Sequence, residues 1–91
     1  MYKLFETDEF TKSLARLDKK DSSFIGAKLN SYVYPQLRVE PHFGKNIKRL
    51  RKYPTPTWRY RIGNYRVFYT IDEVNQLVLL LVVDHRKRAY R

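Results

Sequence analysis

The feature that most constrains the fold is a pair of strand-like runs, residues 58–62 and 65–71, separated only by Gly63-Asn64. Glycine followed by asparagine in a two-residue connection is typical of a type II′ β-hairpin turn. Such a short loop fixes the register, so Ile62 should lie opposite Tyr65. The second half of the chain is therefore predicted to contain an antiparallel hairpin whose side chains alternate between two faces.

The alternation divides the hairpin into an apolar face and a basic face. The apolar face, which is the natural seat for helices, should carry Trp58, Tyr60, Ile62, Tyr65, Val67 and Tyr69. The basic face should gather Arg59, Arg61, Arg66 and Phe68. Arg61 opposite Arg66 is a destabilising pair of like charges, which a phosphate would turn into a binding site because guanidinium groups match phosphate oxygens. The alternative is a solvated outer face that acidic side chains from elsewhere neutralise.

The first half of the chain has a helical period. Phe10, Leu14 and Leu17 predict an amphipathic helix over residues 8–18 that Thr7 caps. Asp21 is the candidate N-cap of a second helix that runs to about residue 34, and Pro35 should end or kink it. Residues 36–44 remain ambiguous.

Short apolar runs predict the other strands, at residues 2–5, 47–51 and 76–83. The last run is apolar at nearly every position, which is typical of a central strand covered on both faces. The element order predicts one α+β domain over residues 1–91. Two N-terminal helices should pack on one face of a mostly antiparallel, twisted sheet of four or five strands.

The charge is unevenly distributed. Residues 1–43 carry seven basic and six acidic side chains, whereas residues 44–91 carry twelve basic and three acidic ones, so net charges of +1 and +9 make up the total of +10. This asymmetry predicts a polyanion-binding surface in the C-terminal half. A basic protein kept soluble by its charge and a protein with an acidic protein partner are the alternatives.

Several classes of protein are disfavoured by what the sequence lacks. With no cysteine, the chain has neither disulfides nor a thiolate nucleophile, which is compatible with the cytoplasm. The first ten residues lack the apolar run of a signal peptide, and the longest apolar run, residues 77–83, is too short to span a membrane. We therefore expect a cytoplasmic protein with no membrane partner.

The C-terminal residues 84–91 read DHRKRAYR and follow directly on the apolar strand. His85 titrates nearest to neutral pH and can act as an acid or a base. Tyr90 can stack on a base or, with a pKa lowered by surrounding cations, accept a proton. The alternatives are a frayed basic tail and a histidine that only packs or hydrogen-bonds at the end of the strand.

Residues 44–90 carry the combination GKNIKRL, WRYRIGNYRVFYTID and HRKRAY, which resembles the RelE/ParE superfamily of toxins and its RelE branch in particular. The resemblance implies an endoribonuclease that cuts mRNA in the ribosomal A site without a metal or other cofactor. The 2′-hydroxyl attacks the adjacent phosphorus and leaves a 2′,3′-cyclic phosphate. The implied partners are the ribosome, mRNA and a cognate antitoxin, with operator DNA bound only through the toxin–antitoxin complex.

The same resemblance suggests roles for individual residues. Candidate catalytic residues are Arg59, Arg61, Arg66, His85, Arg86 and Tyr90. Candidate RNA-binding residues are Lys45, Lys48, Arg49, Arg51, Lys52, Phe68, Lys87 and Arg88. The basic half contains no Asp/Glu cluster for a divalent ion, so no metal ligands are predicted. Because Arg61 stays protonated at any usable pH, we expect His85 or Tyr90 to accept the proton, or catalysis to rest on positioning and charge.

Two other functions remain open on the sequence. The ParE branch of the same superfamily poisons DNA gyrase and needs no nuclease site. A non-catalytic nucleic-acid binder would also use basic and tyrosine-rich surfaces. The sequence has no helix-turn-helix signature, and its excess charge lies on strands rather than on a recognition helix.

Overall fold

The computed structural model describes residues 1–86. Its sheet contains β1 (Lys3–Glu6), β2 (Ile47–Leu50), β3 (Thr57–Ile62), β4 (Tyr65–Asp72) and β5 (Leu77–His85). The strand order is β1-β5-β4-β3-β2, in which β1 runs parallel to β5 and the other neighbours are antiparallel. The helices pack on one face of this sheet, which confirms the predicted α+β class.

The helical segment contains α1 (Asp8–Ala15), α2 (Lys19–Lys28), a π-helical turn (Leu29–Val33) and α3 (Tyr34–Val39). Thr7 caps α1 by accepting a hydrogen bond from the Phe10 amide at 3.2 Å, as predicted. The prediction that Asp21 caps the second helix is wrong. Asp18 is the cap, and its carboxylate accepts from the Asp21 amide at 2.8 Å, because the helix begins three residues earlier than the apolar pattern indicated.

Pro35 does not end the helical segment. A π-helical turn lies immediately before it, and α3 continues to Val39. Proline lacks an amide hydrogen and its ring crowds the carbonyl four residues earlier, and a wider turn at this point relieves both conflicts. The ambiguous segment that begins at Gln36 is therefore helical at first. It then turns at Gly44, where an added Cβ would lie 1.9 Å from the Gln36 side-chain nitrogen.

The register of the hairpin is the one predicted. Ile62 pairs with Tyr65, Arg61 with Arg66 and Arg59 with Phe68. Gly63 has a φ of +57° and Asn64 does not have a positive φ, which is the sign pattern of a type II′ turn. The predicted division of side chains between two faces is therefore confirmed.

The core lies between the helices and the apolar face of the sheet. Its side chains come from all of the helical segments and from three strands: Phe10, Ile25, Leu29, Val33, Leu37, Trp58, Tyr60, Ile62, Val67, Tyr69, Val78, Leu80 and Val83. Burying a side chain of this size is worth about 1.5–3 kcal/mol, so this layer supplies most of the driving force for folding. The side chain of Tyr69 is fully buried and its hydroxyl donates to the Pro41 carbonyl at 2.6 Å.

The expectation that the last strand is covered on both faces is wrong. Val78, Leu80 and Val83 are buried, whereas Leu79 and Val82 on the other face are only partly buried. Within residues 1–86, the helices cover a single face of the sheet, although residues 77–83 of β5 are apolar on both faces. The pairing of β4 with β5 contains a bulge. Phe68 pairs with Val82 and Tyr69 with Leu80, so Leu81 is an extra residue on β5.

Helix α1 lies along the part of β5 that β1 does not pair. The Val83 amide donates to the Ser13 hydroxyl at 2.9 Å, and the Thr7 hydroxyl donates to the Leu80 carbonyl at 2.7 Å. The first contact satisfies the Val83 amide, which lies beyond the part of β5 that pairs with β1. The second adds a side-chain bond to the Leu80 carbonyl, which also accepts from the Thr7 amide at 3.1 Å. Within residues 1–86, every helix is too short or too polar to cross a lipid bilayer.

Candidate nucleic-acid interface

An open cleft of about 780 Å³ lies at the end of the sheet that carries the Gly63-Asn64 turn. One wall comes from the hairpin and the start of the C-terminal segment, and the other from α2 and the π-helical turn. Four cationic side chains line it: Lys28, Arg61, Arg66 and Arg86. We call these residues and the space between them the arginine cleft. It brings together three of the predicted catalytic arginines.

The arginines converge because the hairpin register places Arg61 opposite Arg66, and because β5 ends beside the same turn, just before Arg86. Arg61 and Arg66 are paired residues across the β3–β4 ladder. The Arg66 guanidinium donates to the Gly63 and Tyr65 carbonyls, each at 3.0 Å, which turns it toward the turn. The Arg86 amide donates to the Asn64 carbonyl at 2.7 Å, and this bond fixes the residue beside the same turn.

Arg59 and Phe68 share the basic face but do not line the arginine cleft. Arg59 Nη1 donates to the Asn46 carbonyl at 2.9 Å, while its buried Nε has no hydrogen-bond partner within the described part of the chain. Phe68 is only 7% exposed, so its ring is not accessible for stacking in this conformation. In this structure, Arg59 connects β3 to the segment that precedes β2.

A carboxylate that the hairpin alone did not reveal lies next to Arg66. Asp84 of β5 pairs in register with Arg66 of β4, so both residues belong to the basic face. The predicted strand runs of the hairpin, residues 58–62 and 65–71, contain no carboxylate, and the position of Asp84 follows only from the pairing of β5 with β4. The basic face is therefore less uniformly cationic than the hairpin sequence indicates.

Five further predicted RNA-binding residues lie on or beside the edge strand β2 and outside the arginine cleft. All of them are exposed: Lys45, Lys48, Arg49, Arg51 and Lys52. The Arg49 guanidinium lies 5.6 Å from the centre of the Trp58 ring. Lysine and arginine on an edge strand also discourage pairing with other chains, so their exposure alone does not distinguish the two roles.

His85 lies on the helix-packed side of the hairpin end. It pairs with Tyr65, and the two rings meet edge to face with centroids 5.4 Å apart. It borders two smaller depressions, one beside Ser13 and Arg16 and one beside Asp21 and Phe24, rather than the arginine cleft. Tyr90, Lys87 and Arg88, which the sequence analysis also selected, lie outside the described residues.

An aromatic row with no role predicted from the sequence lies on the wall of the arginine cleft that α2 and the π-helical turn form. Phe24, Lys28 and Tyr32 follow one another at a spacing of four residues, and the Lys28 amine lies 5.7 Å and 4.9 Å from the two ring centres. Phe24 is 47% exposed and Tyr32 is 62% exposed. Lys28 is the sequence feature that could have predicted the exposure of this row, because a helical row that faces the core does not carry a charged residue between two aromatic ones.

A polar cluster that was not predicted from the sequence lies at the opposite end of the sheet. His42 contacts Glu40 through Nδ1 at 2.8 Å and Glu73 through Nε2 at 2.6 Å, and Glu73 also accepts from the Tyr2 hydroxyl at 3.1 Å. Burial lowers the pKa of His42, but the two carboxylates outweigh it, so its pKa is raised. The hydrogen bonds to His42 lower the pKa of both Glu40 and Glu73. We call these four residues the histidine cluster.

Within residues 1–86, no three His, Asp or Glu side chains are grouped so that they could hold a metal ion. The arginine cleft is lined instead by fixed cations, which suit an anionic ligand.

Comparison with known proteins decides the family. The family model that describes the ParE toxin of the type II toxin–antitoxin system parDE matches residues 6–90 of this chain. The chain is also 34% identical over 85 residues to Toxin RelG of Mycobacterium tuberculosis, a match that covers 93% of this chain and 95% of RelG. The chain belongs to the RelE/ParE family of toxins.

Solved structures agree with this assignment of the toxin. The RelBE2 toxin–antitoxin complex of M. tuberculosis contains a similar chain with a TM-score of 0.72 and 26% identity, covering 93% of this toxin and 98% of that chain. The isolated Escherichia coli RelE toxin has the same fold, with a TM-score of 0.69 and 18% identity over 99% of this toxin and 89% of RelE. The predicted superfamily and RelE-like fold are thus confirmed.

Proposed function

We propose that this toxin is a ribosome-dependent, metal-independent endoribonuclease that cleaves mRNA in the A site. The observation that carries the proposal is the convergence of Arg61, Arg66 and Arg86 on one cleft from separate strands and turns. Within residues 1–86, no carboxylate lies within ion-pairing distance of Arg61 or Arg86. Such a cluster matches a phosphodiester, because guanidinium groups form paired hydrogen bonds with phosphate oxygens.

In the proposed reaction, the RNA 2′-oxygen forms a bond to the adjacent phosphorus while the bond from phosphorus to the 5′-oxygen breaks. The 2′-hydroxyl loses its proton to a base, for which His85 and Tyr90 are the predicted candidates, and the departing 5′-oxygen takes a proton from a water molecule. Arg61 and Arg66 stabilise charge on the non-bridging oxygens, and Arg86 stabilises the leaving oxygen. One such donor is worth roughly 3–4 kcal/mol in a transition state.

A cognate antitoxin is the proposed protein partner. RelE-type chains occur in complex with RelB in the solved structures from M. tuberculosis and Pyrococcus horikoshii, the latter with a TM-score of 0.70 and 22% identity. We propose that a corresponding antitoxin blocks the basic surface of this toxin and carries the complex to operator DNA. The toxin would act in the cytoplasm, where it meets ribosomes and mRNA.

The direct test is primer extension on a defined mRNA in a stalled 70S complex, with wild-type toxin and with Arg66→Ala. We expect a new cut in the A-site codon that Arg66→Ala loses and that the control Lys20→Ala retains, since Lys20 is an exposed residue that does not line the arginine cleft. A 2′-deoxy substitution at the nucleotide before the cut should abolish cleavage. Cleavage that survives this substitution would exclude attack by the 2′-hydroxyl.

Inhibition of DNA gyrase is the second candidate function. The observation in its favour is that the matching family model describes the ParE toxin. A supercoiling assay with folded toxin distinguishes the two functions, because a gyrase inhibitor would block supercoiling and leave stalled ribosomal complexes uncut. Failure in both assays would instead favour non-catalytic nucleic-acid binding.

A further inference from the structure

We infer that the row Phe24, Lys28 and Tyr32 is a nucleobase-binding wall, which stacks an unpaired base of the RNA whose phosphate the arginine cleft holds. This inference rests on the proposed function, and it assigns a role to an exposed surface of α2 and the π-helical turn. The row lies on α2 and the π-helical turn, across the arginine cleft from Arg61, Arg66 and Arg86.

The exposure of the two rings is the first observation behind the inference. Tyr32 is 62% exposed and Phe24 is 47% exposed, although the buried positions Ile25, Leu29 and Val33 of the same helical segment face the core. Exposed aromatic rings that line a concave surface are typical of binding sites rather than of a solvated helix face. The Phe24 ring also lies near the Gly63 turn, since a Cβ added to Gly63 would lie 3.9 Å from Phe24 Cε2.

The second observation is the charge that accompanies the rings. Lys28 lies between the two rings, and with three arginines it gives the cleft four cations beside two exposed aromatic rings. Single-stranded nucleic acids are bound by this combination, because cations follow the backbone while rings stack on successive bases. The cleft volume of about 780 Å³ lies within the range of about 300–1,000 Å³ that is usual for ligand sites.

A partner protein with acidic and apolar side chains is the competing occupant. The combination of arginines with exposed rings favours RNA, because each nucleotide supplies both a phosphate for a guanidinium group and a base with a π-face. Stacking on the wall would also separate a base from its neighbours, which would hold the adjacent 2′-hydroxyl and phosphate near the arginines. The wall would thus position the substrate rather than take part in bond changes.

The test measures binding of two short single-stranded oligonucleotides by fluorescence anisotropy. One is a 2′-O-methyl RNA that cannot be cleaved by 2′-hydroxyl attack, and the other has the same number of phosphates but an abasic backbone. We expect Tyr32→Leu, alone and combined with Phe24→Leu, to weaken binding of the RNA by roughly tenfold or more. Binding of the abasic strand should not change, because its phosphates still meet the arginines.

Matched variants control for folding and for nonspecific effects. Tyr32→Phe keeps the aromatic ring and should bind the RNA as the wild type does, whereas Phe43→Leu removes a 76% exposed ring that does not line the cleft and should have no effect. Tyr32 is the primary position because its side chain is 62% exposed, so its replacement removes little buried contact, and circular dichroism checks the fold of each variant. Equal loss of RNA and abasic binding would overturn the stacking role.

The inference and the proposed function can fail separately. If the wild type cuts mRNA in the A site but Tyr32→Leu binds the RNA as tightly as the wild type, the wall is not a base-binding site and the nuclease proposal stands. If Tyr32→Leu loses only antitoxin binding, the occupant is a protein and the inference is wrong. If the wild type neither binds nor cuts RNA, both proposals are overturned.

Discussion

At one end of β4, the Gly63-Asn64 turn is surrounded by Arg61, Arg66 and Arg86, whereas at the other end Glu73 lies between Tyr2 and His42. At about 3.3 Å per residue, the eight residues of β4 separate these two regions by roughly 26 Å. In the arginine cleft, cations of like sign collect on two walls. In the histidine cluster, each charge has a partner of opposite sign within hydrogen-bonding distance.

Under the proposed function, this difference predicts that ligand binding and stability depend on opposite ends of the sheet. Grouping like charges costs folding free energy, and an anionic ligand recovers that cost only when it binds. A network of carboxylates and histidine stabilises the folded chain by itself and leaves little capacity for a ligand. We therefore expect changes in the arginine cleft to affect RNA cleavage more than folding, and changes near the histidine cluster to affect folding more than cleavage.

The largest expected effect comes from Arg61→Thr. Removing one fixed cation from the transition state should lower A-site cleavage by roughly 10²–10³-fold. The free energy of unfolding in urea should stay equal or rise by about 0.2–1 kcal/mol, because the like-charge contact with Arg66 is relieved. Lys20→Ala, which also removes one exposed cation, should change neither quantity. A large loss of stability in Arg61→Thr would contradict the proposed division.

A smaller effect, on stability alone, is expected for Tyr69→Phe. The buried hydroxyl donates to the Pro41 carbonyl at 2.6 Å, next to the histidine cluster. Its removal leaves a buried carbonyl unsatisfied, which should lower the free energy of unfolding by about 1–3 kcal/mol. Cleavage below the unfolding transition should not change. Tyr53→Phe serves as the control because Tyr53 is 48% exposed and lies in the loop before β3.

The smallest effect is a dependence of stability on pH that His42→Gln should remove. The pKa of His42 is raised in the folded state, so its contribution is fully present below the unfolded pKa of 6.5 and is lost as the pH rises through the folded pKa. The pKa values of Glu40 and Glu73 are lowered, so their contribution is present above 4.5 and is lost as the pH falls through the lowered values. Urea unfolding across this range measures both limbs.

In His42→Gln, the decline of stability on the alkaline side should disappear, while A-site cleavage at neutral pH should remain at the wild-type rate. A decline that persists in the variant would show that another group controls it. Loss of cleavage in a stable variant would instead indicate that the two ends of the sheet are coupled.

The sequence by itself determined the helix–sheet order, the hairpin and the division of its side chains. A two-residue turn leaves one register, and an alternating pattern leaves one apolar face for the helices. The pair Arg61–Arg66 followed from these local rules, and so did the position of Thr7 at the start of α1. The N-cap of α2 at Asp18 did not follow from them, because several polar residues before this helix could act as its cap equally well.

Only the tertiary structure decided which groups from distant parts of the chain meet. Asp84 pairs with Arg66, Lys28 joins the arginine cleft, and His42 lies between Glu40 and Glu73. Each of these contacts depends on how β5 pairs with β4, how α2 crosses the sheet, or how the segment after α3 turns at Gly44. Local propensity carries no information about such pairings, because they are selected by burying the shared core and not by neighbouring residues.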